Sequence, residues 1–131
     1  MIGLDTNILV RYVMQDDPVQ SATATAWIEE RLSPENQGFI SVVAIAETVW
    51  VLDRTYGVAD QDIAAAIERL LQADVLVIEN EQQVFAATIV LKDNRGSFAD
   101  ALIAALGVKA GCSCTLTFDR GALRLPGFKA A

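Results

Sequence analysis

Short apolar runs alternate with longer helix-patterned segments from one end of this chain to the other, and that alternation narrows the fold more than any other feature. Ile2-Gly3-Leu4, Gly38-Phe39-Ile40-Ser41, Val75-Leu76-Val77-Ile78 and Thr115-Leu116-Thr117-Phe118 have the length and apolar content of strands. The third is an uninterrupted β-branched-rich run, as expected of a strand buried on both faces. Between them, Asp5-Thr6-Asn7 supplies cap-forming side chains ahead of Ile8–Val13. Asp17 suits an N-cap with Pro18 at the first helical position, and that helix is expected to reach Leu32, where Ser33-Pro34 stops it. Val42–Arg54 reads as an apolar helix. Asp60 is expected to cap the next, with Ile63, Ile67, Leu70 and Leu71 on one face. Val84, Phe85, Thr88 and Ile89 mark a further helix, and Ser97 opens one through about Lys109. Strands alternating with helices imply an α/β fold, a three-layer α/β/α sandwich around a mainly parallel sheet. Ligands of such sheets bind outside the carboxyl ends of the strands.

The chain has 131 residues, 53% of them hydrophobic, with no repeats or linkers, so residues 1–131 are expected to form a single domain with a real core. No apolar run approaches the roughly 20 residues that span a bilayer, and Asp5 interrupts the amino-terminal one, so a soluble cytoplasmic protein is expected. There is no histidine. This excludes Ser-His-Asp and Cys-His nucleophile systems and every His-ligated metal site, leaving carboxylates to carry any chemistry. Cys112 and Cys114 are the only cysteines. Their spacing supports neither a disulfide framework nor a zinc site, and they read as reduced core or strand residues. The net charge of −7 argues against broad phosphate binding, but a cation-binding acidic cluster would itself contribute to it.

Four acids occupy suggestive places. Asp5 follows the first strand and Asp119 the last, while Glu47 and Asp100 lie near helix starts that open at the same edge of a parallel sheet. Glu47 has Val43, Ala44, Trp50 and Val51 as helical neighbours, an apolar setting that is costly for a carboxylate unless it is paired or bound to a cation. An ion pair with Arg54, or a helix edge reaching solvent, would equally account for it. Asp100 could complete a capping box with Ser97, Asp5 could be a plain N-cap, and Asp119 a turn residue. If the four converge, mutual repulsion calls for a cation, and hard oxygen ligands suit Mg²⁺ or Mn²⁺. Such ions activate water and stabilise the leaving oxygen in phosphodiester hydrolysis.

With those residues identified, the chain resembles the PIN-domain nucleases, and among them the VapC-type toxins of toxin–antitoxin (VapBC) systems. The matching segments are Leu4-Asp5-Thr6-Asn7-Ile8-Leu9, Ala46-Glu47-Thr48, Phe98-Ala99-Asp100-Ala101-Leu102-Ile103-Ala104, Thr115-Leu116-Thr117-Phe118-Asp119-Arg120 and Leu125-Pro126-Gly127-Phe128. They occur in order over essentially the whole chain. Asn94-Arg95-Gly96-Ser97 stands where many relatives carry another acid. The resemblance implies that Asp5, Glu47 and Asp100 bind metal, that Asp119 binds or supports a second ion, and that Asn7 and Thr117 support these acids. It also implies an endoribonuclease acting on selected RNA, a homodimer, and an antitoxin whose tail covers the site.

Arg11, Arg95, Arg120 and Arg124 flank the acidic motifs and are candidates for phosphate contacts. Trp27, Trp50 and Phe85 are expected in the core or a dimer interface. The resulting expectation is a Mg²⁺-dependent ribonuclease in which water attacks phosphorus without a side-chain nucleophile. Its rivals are a catalytically silent module that binds an antitoxin or nucleic acid, and an aspartyl-phosphate phosphatase. The phosphatase pattern wants a second Asp where this chain has Asn7.

Overall fold

The structure is a computed structural model describing residues 1–131. Strands β1 (Ile2–Gly3), β2 (Gly38–Ile40) and β3 (Leu76–Ile78) form a parallel sheet in the order β1-β2-β3. Ile2 stands opposite Gly38, and Gly38 opposite Leu76. Helices α1 (Thr6–Met14), α2 (Gln20–Ala26), α3 (Val42–Arg54), α4 (Asp60–Gln72), α5 (Glu81–Lys92) and α6 (Phe98–Lys109) connect and cover the strands. Strands β4 (Thr115–Thr117) and β5 (Phe128–Ala130) pair in parallel with each other and form a second, smaller sheet. All pairing between these strands is therefore parallel, as the alternation requires, but it is divided between two sheets.

Local chemistry sets the helix starts that matter for function. Asp5 has extended backbone (φ −82°, ψ 160°) and its Oδ1 accepts the Thr6 N–H at 2.8 Å, so strand β1 turns directly into α1. Ser41 Oγ accepts the Ala44 N–H at 3.1 Å ahead of α3, and Ser97 Oγ accepts the Asp100 N–H at 3.1 Å ahead of α6. Each such cap stabilises its helix by about 0.5–2 kcal/mol. Asp17 also behaves as a cap, accepting the N–H groups of Val19 and Gln20 at 3.0 and 2.8 Å, although regular helix starts only at Gln20. That helix ends in a π-helical turn, Trp27–Arg31, closed by Leu32 N–H on the Trp27 carbonyl at 2.9 Å. Asp60 is the first residue of α4 rather than its cap, which is Ala59. Its charge still suits the positive end of the helix.

The core gathers Leu9, Ile40, Ile45, Leu52, Ile63, Ile67 and Val84, all without exposed surface. Thr48 and Thr88 are equally buried and return their hydroxyls to the carbonyls of Ala44 and Val84 at 2.7 and 2.8 Å, so neither donor is orphaned. Trp27, Trp50 and Phe85 are not core residues, which leaves the dimer-interface half of their expectation, and Cys112 is neither a core nor a strand residue. Trp50 and Phe85 are exposed, Trp27 is half-buried beneath Arg31 (4.8 Å from guanidinium carbon to ring centre), and Cys112 lies exposed in the turn after α6. No helix is long and apolar enough to cross a membrane.

Candidate active site

Helix α3 projects two adjoining stripes of side chains. Glu47, Val51 and Thr55 recur every four residues and face α1. There they meet Asp5, Thr6, Asn7, Val10 and Arg11, with Tyr56 closing one end, around a cavity of about 290 Å³. Ala46, Trp50 and Arg54 recur at the same spacing on the next stripe, which lines a separate, larger cleft.

Asp5 reaches its cavity because β1 ends there and its own side chain caps α1. The cap uses Oδ1 and leaves Oδ2 without an intramolecular partner. Glu47 is exposed and joins no ion pair; Arg54, a candidate partner from the sequence, is held at 3.5 Å by its neighbour Asp53. Val43 and Trp50 beside it are 73% and 60% exposed, so the apolar neighbours do not bury the carboxylate. The helix edge that reaches solvent is therefore the correct account of its surroundings, and desolvation does not force a partner on it.

Asp100 is half-buried in the first turn of α6. Its N–H takes the Ser97 cap, but no return bond runs from the Ser97 N–H to its carboxylate, so only half of a capping box forms. Asp119 is exposed just beyond β4, where its Oδ1 accepts the Gly121 N–H at 2.9 Å and its own N–H donates to Thr117 Oγ1 at 3.0 Å. Thr117 thus contacts the backbone of Asp119 and not its carboxylate. Asn7 lies on the wall of the Asp5–Glu47 cavity and makes no side-chain hydrogen bond to either acid. The structure brings Asp5 and Glu47 together. It leaves Asp100 one residue from the neighbouring cleft, which Ala99 lines, and Asp119 two residues beyond the smaller sheet's β4. No three Asp, Glu or Cys side chains are gathered closely enough to form a metal-binding group.

Arg11 borders the acidic cavity, yet its guanidinium is already engaged. Nη1 lies 3.0 Å from both Asp16 oxygens and 3.3 Å from Tyr56 Oη, and Nε donates to Gln20 at 2.8 Å. Tyr56 Oη in turn donates to Asp16 Oδ2 at 2.8 Å. The bonds from Tyr56 and Arg11 hold the Asp16 carboxyl below the usual range, while the Tyr56 hydroxyl is pushed up chiefly by its bond to Asp16. This Arg11–Asp16–Tyr56 clamp ties α1 to the end of α3, 45 residues apart in the chain for the Arg11–Tyr56 pair. No sequence signal points to it, since neither Tyr56 nor Asp16 belongs to a motif. Arg95 and Arg124 line the larger cleft together, and Arg120 is exposed beside Asp119.

A parallel α/β domain with one acid where β1 hands over to α1 and another facing it from the middle of α3 has the layout of a nuclease-type fold. The profile of the PIN domain family matches residues 2–127, and the chain belongs to that family. A search of curated proteins gives no significant match. PIN domains are generally nucleases, so a hydrolytic action on nucleic acid follows at the level of the family.

Proposed function

We propose that the chain is a divalent-metal-dependent endoribonuclease and the toxin of a VapC-type toxin–antitoxin pair, working as a homodimer. The observation that carries this reading is the sharing of one solvent-open cavity by Asp5 and Glu47 inside a PIN domain. Mg²⁺ keeps several waters and is commonly held by one or two carboxylates plus substrate phosphates, so this oxygen-only pair fits Mg²⁺ or Mn²⁺. A bound ion would supply an activated water and offset charge developing at phosphorus.

The chain's own residues do the positioning. The cap on α1 fixes Asp5 and leaves one carboxylate oxygen for a ligand, while Glu47 approaches from α3 across the cavity. In this reading Asp100 also binds metal and Asp119 supports a second ion, though neither lines the cavity wall as Asn7 does; Thr117 Oγ1 accepts the backbone N–H of Asp119. Arg11 borders this cavity, Arg120 stands beside Asp119, and Arg95 and Arg124 line the cleft across α3; these four are the candidates for substrate phosphates, which they would hold without reading sequence. An antitoxin would silence the enzyme by covering the cavity. A second reading, a PIN-fold module that binds antitoxin or nucleic acid without turnover, is favoured by one observation: the acids do not gather in threes.

The deciding experiment compares wild type and Asp5→Asn on a mixed cellular RNA pool with Mg²⁺, Mn²⁺ or EDTA. Cleavage that requires metal and vanishes in the variant is the expected result. Absence of cleavage by the wild type at any metal concentration supports the binding module instead.

A further inference from the structure

The larger hollow beside α3 is not used by the acids, and its chemistry is distinct. It encloses about 580 Å³, within the roughly 300–1,000 Å³ typical of ligand pockets. Trp50, 60% exposed, stands on its α3 wall with Arg54 one turn further on, while Arg95 and Arg124 approach from the start of α6 and the end of the chain. Asp53 and Asp60 are the only acids on its lining, so three arginines meet two aspartates. In a chain of net charge −7, this cleft carries one net positive charge, whereas the Asp5–Glu47 cavity, with Arg11, carries one net negative charge.

We propose that this cleft is a nucleotide subsite, in which the indole face of Trp50 stacks a base of single-stranded nucleic acid while Arg54, Arg95 and Arg124 take its phosphates. Aromatic stacking combined with a positive groove is the recurrent means of holding single strands. Guanidinium groups match phosphate oxygens in two-pronged geometry. An indole left in water beside three guanidinium groups has no folding role in the chain, since neither it nor Arg95 or Arg124 helps fill the core. Because α3 separates cleft from cavity and a helix is about 10 Å across, the occupant is a nucleotide flanking the bond at Asp5–Glu47 rather than the scissile one. In this last respect the inference rests on the proposed nuclease reading; the binding itself does not.

The test uses the Trp27→Phe, Asp5→Asn protein in EDTA, which retains Trp50 as its sole tryptophan, titrated with a short oligouridylate while Trp50 emission is followed. Saturable quenching is expected. Arg95→Ala and Arg124→Ala should each weaken binding about tenfold and flatten the slope of log affinity against log salt by about 0.7 for each phosphate no longer neutralised. Unchanged affinity and slope in both variants would overturn the proposal. So would equal quenching by polyglutamate, which would make the cleft a receptor for acidic peptide, or an emission change that follows protein concentration without oligonucleotide, which would make it a contact between copies. Cleavage by wild type without quenching at Trp50 sinks the subsite and spares the nuclease; quenching without any cleavage does the reverse.

Discussion

The two hollows flanking α3 are built from neighbouring stripes of one helix, about 100° apart, yet they differ in kind. One is small and acidic and is framed by anchored groups, Asp5 through its helix cap and Arg11 through its clamp. The other is twice as large and carries arginines of which only two have even loose partners, Arg54 with Asp53 at 3.5 Å and Arg95 with Asp93 at 3.8 Å. An anchored carboxylate such as Asp5 suits chemistry, which tolerates little misplacement, whereas loosely paired guanidinium groups suit phosphates arriving in varied register. On the proposed reading, the chain would separate reaction from grip and put a single helix between them. A third hollow, between α4 and α5, holds the Lys92–Glu68 pair at 3.2 Å and none of the four acids.

Kinetics puts that division to its most severe test. Asp5→Asn and Glu47→Gln should each lower kcat on RNA by more than about 100-fold, beyond what loss of a group merely supporting a metal ligand costs. Circular dichroism and Tm should stay close to wild type, because Asn still caps a helix well. Arg95→Ala and Arg124→Ala should act on KM, by about tenfold, with kcat nearly intact. An arginine variant that lowers kcat at constant KM would mean that the cleft takes part in the chemistry and that the division is false. Asp119→Asn should fall between neutrality and about tenfold in kcat, since Asp119 lies just beyond the smaller sheet and off the cavity wall. A loss as large as that of Asp5→Asn would place Asp119 among the acids that hold the metal.

How much of this is legible in the sequence depends on the range of the interaction that decides each feature. Asp5 and Ser97 are readable as helix starts because a cap is settled within four residues, and the strand–helix alternation implies the parallel pairing. The third helix matches its expected span, Val42–Arg54, residue for residue. What fails is decided at longer range. Strand β5 has only Phe128-Lys129-Ala130 to announce it and exists by virtue of β4, whose Thr115 stands opposite Phe128. The π-helical turn at Trp27 has no period of its own to detect. Trp50 reads as a core or interface residue, and the core is missed because one position on a helix separates the buried stripe of Val49 and Leu52 from solvent. The expectation that Asp119 joins Asp5 is drawn from strand ends of one sheet, and the division of the strands between two sheets is not something the alternation announces.

A far smaller effect is expected from the clamp that keeps the acidic cavity framed. Asp16 titrates at lower pH in the folded chain than in the unfolded one, held there by Tyr56 and Arg11. A depressed carboxyl contributes its stability above the unfolded value near 4 and loses it as pH falls through the folded one. Tyr56 is shifted upward, so its contribution is complete below its unfolded value near 10 and is lost as pH rises through the folded one. Between those limits the clamp is whole. Tyr56→Phe removes the hydroxyl that both binds Asp16 and receives Arg11, so the variant should show a shallower fall in Tm than wild type between about pH 5 and pH 3. It should also raise KM slightly, as Arg11 gains freedom beside Asp5. Because the clamp is solvent-exposed, added salt should shrink the difference between the two proteins. If Tm in wild type and variant instead runs parallel across that interval at low salt, Asp16 draws its stabilisation from Arg11 alone, and the tyrosine only walls the cavity.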